Sequence, residues 1–407
     1  MLGLALSGVT GDWPQWRGPT RDGISRETGL LGEWPAEGPR QLWQIQDAGD
    51  GYSTPAVSEG RLYLLGNRGL DNEFVQARDA DTGRLLWSAP LGKVGQPDQK
   101  PNYPGARSTP TVVGRWLYVL GSDGDLACLA TDTGAVRWRH QLREEFGGQP
   151  GIWAYAESPL IDGDTVVCAP GGKTATLLAL DRHTGKVVWQ CAVPDGDEAT
   201  YSSTIVTTLG GVKQYIQGLK KGLLGVAAAT GDVLWQFGET ADLKNGGYIL
   251  TPVTRNDLVY SASGLIGGAA ARVSQDAHGW SAESVYFSKK LPIGIGGVVL
   301  SGDYMYGASG TTLQCVEFAT GKVRWEDRCI GAASICAAEG RLYLHGENGD
   351  VALVEITAEG YREKGRFTPT DQPDRGNKKA WTYPVVANGR LYLRDLNDLR
   401  CYDIAAR

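Results

Sequence analysis

Histidine and methionine are almost missing from this chain, with four and two residues in 407. The histidines His140, His183, His278 and His345 have no neighbours at metal-ligand spacing, so clustered-imidazole metal chemistry is excluded. The seven cysteines (Cys128, Cys168, Cys191, Cys315, Cys329, Cys336 and Cys401) contain no Cys-Cys pair and no C-x-x-C. That removes the redox-dithiol and zinc-ribbon readings, and the odd count argues against a full disulfide framework. Most fall within apolar strand patterns, where a free thiol behaves as a small hydrophobe, and one structural pair, Cys329 with Cys336, stays open. No run of 18 apolar residues exists, so no helical span is encoded. Forty basic residues against 46 acidic ones, net −6, leave no electrostatic case for a nucleic-acid partner. G-x-S-x-G, H-E-x-x-H and P-loop patterns are all missing.

Glycine, at 57 residues, and tryptophan, at 13, are abundant instead. They recur together. Thr82-Gly83 leads to Trp87, Thr133-Gly134 to Trp138, Thr184-Gly185 to Trp189, Thr230-Gly231 to Trp235, and Thr320-Gly321 to Trp325. A unit returning every ~40 to 50 residues means a repeat array. Each unit reads as four short strands. A Ser/Thr-Pro pair opens it (Ser53-Thr54-Pro55, Ser108-Thr109-Pro110, Ser158-Pro159, Thr251-Pro252), an apolar strand follows, a third strand ends at the Thr-Gly turn, and the fourth carries the Trp. Four antiparallel strands per repeat is a propeller blade. The Gly supplies the positive φ of a tight hairpin, and the Trp fills the wedge between sheets and can donate its indole N–H to the next blade. Trp43, Trp87, Trp138, Trp189, Trp235 and Trp325 are therefore structural. Phe287 and Phe367 are expected to replace Trp in two degraded units, where His278-Gly279-Trp280 and Ala358-Glu359-Gly360 stand in for the Thr-Gly turn.

The expectation is an all-β chain, a single eight-bladed β-propeller of four-stranded antiparallel blades over residues 40–407. The last unit, from Trp381, has three strands; the orphan strand Gln41–Ile45 at the N-terminal side completes it and closes the ring, which removes free sheet edges. Residues 1–39 divide into an apolar start (MLGLA) that reads as the remnant of a truncated secretory signal and a Trp/Pro-rich arm, DWPQWRGPTRDG onward. Leaving Trp13, Trp16 and Trp34 in water would be costly, so the arm is expected to lie across the body.

With the lines ATDTGAVRW (130–138) and ALDRHTGKVVW (179–189), the chain resembles the PQQ-like, or tryptophan-docking, repeat family of eight-bladed propellers. That resemblance implies one of two functions. One branch, of the BamB type, is non-enzymatic and binds proteins during outer-membrane assembly without a cofactor. The other, the quinoprotein dehydrogenases, holds pyrroloquinoline quinone (PQQ) with Ca²⁺ over the channel and oxidises alcohols or sugars. The vicinal Cys-Cys that packs on the quinone in that branch has no counterpart here. The reading adopted is a non-catalytic binding or scaffold propeller with no cofactor, exported to the periplasm or beyond and monomeric, binding a protein or a small ligand at the channel rim. A PQQ- and Ca²⁺-dependent oxidoreductase is the alternative.

The rim is where binding is expected, because the loops leading into blades are long on one arc: Trp87 to Ser108 and Trp138 to Glu157. They hold Asn102, Tyr103, Arg107, Trp153, Tyr155 and Glu157, and the corresponding segments add Tyr52, Tyr201, Tyr248, Lys379 and Trp381. Aromatics with a few charges around a channel mouth suit a small polar ligand or a peptide anchor. Arg107 could fork onto a carboxylate. In the quinoprotein alternative Glu157 would help hold Ca²⁺ and Trp153 or Trp381 would stack on the ring.

Overall fold

Eight sheets form the molecule, each with four antiparallel strands; they are built from consecutive strands apart from the one that joins the two ends of the chain and the one that takes a short extra strand from the N-terminal arm. The computed structural model describes residues 11–99, 103–244 and 247–406; the apolar start (1–10) and Asn102 lie outside them. Blades 1 to 7 span residues 56–92, 111–141, 160–191, 205–237, 253–288, 298–328 and 333–367. Blade 8 consists of Val385–Ala387, Arg390–Asp395 and Asp398–Asp403, with Gln41–Ile45 as its outer strand. The expected ring closure is therefore present, with Trp43 opposite Cys401. The long Trp138–Glu157 connection also carries a five-residue helix, Leu142–Phe146. No helix among the described residues is long and apolar enough to cross a membrane.

The repeat's chemistry is plain in blade 3. Asp181 accepts hydrogen bonds from the amides of His183 and Thr184 and from the Thr184 hydroxyl, which wraps the turn. Gly185 follows at φ +73°, and a Cβ there would stand 3.0 Å from the ring of Trp138 in the preceding blade. Trp138 in turn donates Nε1–H to the Arg182 carbonyl at 2.9 Å. The glycine is thus required twice, by the turn and by the indole lying on it. The same link joins Trp43 to Ala80, Trp87 to Thr131, Trp189 to Ala228 and Trp325 to Thr357. Trp235 departs from the rule and donates to Gln214 of its own blade. Its neighbour, blade 5, extends its last two strands to ten residues each (Gly267–Asp276 and Gly279–Ser288), so no Thr-Gly corner is offered.

Two expected docking positions are corrected. In blade 5 the docking residue is Tyr286, not Phe287: Tyr286 donates to the Phe318 carbonyl and lies on Gly321, while Phe287 is 39% exposed. In blade 7 the register puts Gly365, not Phe367, where Trp stands elsewhere, opposite Leu353 at the same bulge. The missing indole comes from the arm. Trp34 hydrogen bonds through its amide to the Lys364 carbonyl, its Cβ fills the space over Gly365, and its ring sits 5.9 Å from Tyr343. Docking tryptophans stand 6.1–6.3 Å from the equivalent tyrosines in blades 1, 2, 6 and 8.

The cores are the wedges between blades. One cluster joins blade 1 to blade 2 (Tyr63, Leu65, Leu117, Val119), and the pattern repeats around the ring. The arm changes it at the seam: Trp13, Leu30 and Trp34 merge blades 7, 8 and 1 into a single core. All seven cysteines are free, six of them buried.

Candidate functional site

The segment leading into each blade is extended, so its side chains alternate in direction. Counting back from the blade's Pro, or the residue at its place, the side chains one and three positions earlier face the channel. Those two and four earlier turn back into the sheets: Ser53 Oγ accepts from the Leu65 amide, and the Thr200 hydroxyl donates to the Gly218 carbonyl. One position back stand Thr54, Thr109, Ser158, Ser203, Thr251 and Tyr383. They form a partial hydroxyl girdle: the amides of Thr109, Ser158 and Ser203 donate to Ser158, Ser203 and Thr251 Oγ of the next blade, and the Tyr383 amide donates to Thr54. Three positions back stand Tyr52, Arg107, Ala156, Tyr201, Ile249, Ile295 and Trp381. With Thr54, Tyr383, Tyr103, Trp153 and Trp16, they line a cavity of about 290 Å³.

The arm closes the opposite end. Trp13 pairs by backbone with Val57, Pro14 accepts from Val112, and Arg21 donates to the Ser158 and Pro159 carbonyls. Trp16 Nε1 donates to Thr251, Arg17 reaches the Val298 carbonyl, and residues Ile24–Ser25 add a parallel strand to blade 7. Trp16 then stands edge-on to Tyr383 at 4.6 Å, as a floor for the cavity.

Its walls are aromatic. Tyr52 and Tyr103 pack on Trp381 at 5.1 and 5.0 Å, and Trp153 packs on Tyr201 at 5.5 Å. Trp381 is fixed by Nε1–H donation to Glu347, and Tyr383 by its hydroxyl donating to the Ile295 carbonyl. Burial pushes the phenols of Tyr52, Tyr201 and Tyr383 up to about 12, so all three are neutral donors near pH 7. Arg107 is the sole cation of the lining. It donates through Nη2 to the Tyr103 carbonyl and lies 5.1 Å from the centre of the Tyr52 ring. Its Nε and the Tyr52 hydroxyl are both buried without a hydrogen-bond partner. Among the described residues Arg107 makes no ion pair. The carboxylate whose charge reaches it, Glu73, is occupied by the Ser122 amide and hydroxyl.

Of the residues expected at the rim, Tyr52, Arg107, Trp153, Tyr201 and Trp381 come together in this cavity. Four do not. Tyr155 is buried and donates to the Pro170 carbonyl, and Tyr248 is buried against Thr240. Glu157, 1% exposed, turns away between blades; Oε1 accepts from the Ala169 amide at 2.5 Å and Oε2 has no partner. Burial raises its pKa to about 8, against the opposing pull of Arg21. Lys379 is exposed on the rim. Tyr248 and Tyr155 sit four positions before the blade's Pro and Glu157 two, which is the wrong parity. Tyr103 of the same rim loop joins the lining, and Trp16 and Tyr383 belong to it though spacing did not single them out; the Pro register would have found Tyr383.

PQQ with Ca²⁺ is the cofactor pair that the oxidoreductase alternative requires. A hard cation needs several oxygen ligands. The lining carries no carboxylate, Glu157 is committed elsewhere, and among the described residues no three His, Cys, Asp or Glu side chains converge. The residues present do not fit the Ca²⁺-bound quinone.

The family model described as outer membrane protein assembly factor BamB matches residues 71–327. The chain is similar to the serine/threonine-protein kinase AfsK of Streptomyces griseus, 31% identical over 172 residues, which are 41% of this chain and 19% of that protein. It is also similar to the outer membrane protein assembly factor BamB of Shewanella oneidensis, 24% identical over 221 residues, 53% of this chain and 50% of that one. The chain thus spans half or less of the length of these curated relatives. Among solved structures, BamB from Moraxella catarrhalis superposes with a TM-score of 0.63 at 16% identity, covering 90% of this chain and all of that one. The quinohemoprotein alcohol dehydrogenase of Comamonas testosteroni does so at 0.55 and 13% identity, covering 99% of this chain and 82% of the enzyme. At these identities the structures share the fold.

Proposed function

The chain belongs to the outer membrane protein assembly factor BamB family, and from that premise we propose that it is a non-catalytic binding propeller of the bacterial periplasm. Its channel mouth receives a ligand or a segment of a protein partner. The observation that carries this reading is the one-ended aromatic cavity, closed below by the arm and open at the rim. Catalysis by proton transfer needs a group poised near neutral pH at the reacting atoms. The lining offers phenols held near 12 and one guanidinium instead. Aromatic anchors ringed by polar residues are what binding hot spots are made of.

The test is site-specific photo-crosslinking in the periplasm of the producing cell. A benzophenone amino acid replaces Lys379 on the rim or Glu59 on the opposite, arm-covered face. A discrete adduct from position 379, weakened by Trp381→Ala and not formed from position 59, supports the reading. Adducts formed only from position 59, or dye-linked alcohol oxidation after adding PQQ and Ca²⁺, overturn it.

A further inference from the structure

Resting on the binding reading above, we infer that the cavity takes an apolar, preferably aromatic, group bearing one carboxylate. The walls set the body of the ligand. Trp16, Tyr52, Tyr103, Trp153, Tyr201, Trp381 and the aliphatic Ile249 and Ile295 leave little to hydrogen bond with. A sugar, with a hydroxyl on most carbons, would bury polar groups unpaired at about 1–3 kcal/mol each. Aromatic walls alone would also suit a cation. Arg107 forbids it, being the one charge in the lining.

The polar end is set by two donors. Arg107 Nε and the Tyr52 hydroxyl are buried and unpartnered, and the two side chains are stacked. Other hydroxyls of the lining are engaged: Thr54 accepts from the Tyr383 amide, Tyr201 accepts from the Trp153 amide, and Tyr383 donates to the Ile295 carbonyl. An idle guanidinium N–H beside an idle phenol O–H matches a carboxylate, which accepts at two oxygens and carries the charge that answers the cation. A phosphate dianion would ask for more positive charge than a single arginine supplies. At about 290 Å³ the space lies at the small end of ligand pockets, enough for one aromatic residue and no more. Such a group is either a free aryl or alkyl carboxylic acid or the last residue of a peptide with its α-carboxylate. Lys379, exposed two residues before the lining Trp381, adds a positive charge nearby.

Calorimetric titration of the full chain, followed also by tryptophan fluorescence, distinguishes these. The probes are 3-phenylpropanoate, its neutral amide, and acetyl-Ala-Ala-Phe with a free or an amidated C-terminus. Saturable binding of an acid, at least tenfold tighter than its amide, is expected, with the preference erased in Arg107→Gln and partly kept in Arg107→Lys. Tyr52→Phe, which removes only the hydroxyl and keeps the ring, should weaken the acid severalfold and tests the same point if Arg107→Gln misfolds. Tighter binding of the tripeptide acid assigns the peptide source; binding of phenylpropanoate alone assigns the small molecule. Equal affinity for acid and amide, acid binding unchanged in both variants, or no binding of either acid at millimolar concentration overturns the inference. If the Lys379 crosslink persists in that case, the binding reading survives; if it too is lost, both fall.

Discussion

At the scale of single residues, direction decides function more than identity does. Ala156 and Glu157 are adjacent, yet one lines the cavity and the other is sealed between blades. The physical cause is the period of two in extended chain, which a reading by residue type overlooks: a glutamate and tyrosines near a channel mouth look functional whichever way they point. The Ser/Thr-Pro pairs carried the needed phase, and half of the site was legible from them. The contrast makes two predictions. Ala156→Trp should fill the cavity and abolish binding of 3-phenylpropanoate by calorimetry, with the fold retained by circular dichroism. Glu157→Gln should leave binding unchanged and alter the pH dependence of stability. Burial raises the Glu157 pKa to about 8, so the native state holds its proton more tightly than the unfolded chain does. That contribution is fully present below the unfolded value near ~4.5 and is lost as pH rises through about 8, on the order of a few kcal/mol over the window. Glu73, raised to about 7, and Asp197, raised to about 6, act in the same sense. The melting temperature of the parent chain should therefore fall from pH 5 to pH 8.5. In Glu157→Gln, which keeps an acceptor for the Ala169 amide, the decline should be shallower. An identical slope in both proteins would remove Glu157 from the account.

At the scale of the element, the unit of design is a tryptophan of one blade lying on a glycine of the next. The regular blades were readable because turn, glycine and indole are all local in sequence. Blades 5 and 7 were misread because counting to the next large aromatic ignores the bulge before the docking position. Slipping one residue moves a side chain to the other face of the strand, which is how Phe287 was taken for Tyr286. In blade 7 no local pattern could have helped, since the indole comes from Trp34, more than three hundred residues earlier in the chain. Trp34→Ala should cost about 3–5 kcal/mol as a large-to-small core change. Faster hydrogen exchange should be confined to Glu363–Phe367 and to Asp398–Asp403 of blade 8. Gly134→Ala should also destabilise, since its Cβ would lie 2.6 Å from the Trp87 ring on a backbone at φ +71°. Chemical denaturation measures both, and a change below ~1 kcal/mol in either would show that the docking contact is dispensable at that corner.

At the scale of the whole molecule, a ring of blades has one weak seam, where the two ends of the chain meet. Gln41–Ile45 closes that seam within blade 8, but blade 8 then lacks the hairpin corner that the other blades, blade 5 apart, offer their neighbours. The arm supplies the lost contacts. Leu31 donates to the Ile404 carbonyl, Ala406 to that of Gly29, and Glu27 accepts from the Asn388 and Gly389 amides. The same segment floors the cavity through Trp16, so ring closure and site are one construction. Two shortened chains separate the roles. A chain beginning at Arg40 keeps the closing strand and loses the arm. Burial of Trp13, Leu30 and Trp34 at roughly 2–3 kcal/mol each puts the loss at about 5–10 kcal/mol. It should remain a folded, strand-rich monomer that melts earlier, binds an apolar dye at the exposed floor, and no longer binds 3-phenylpropanoate. A chain beginning at Ala48 also loses the outer strand of blade 8. Its open edge is a template for pairing with a second copy, so sedimentation should show association or aggregation. If the first chain bound the probe with parental affinity, the arm would be a clasp for the ring and no part of the site.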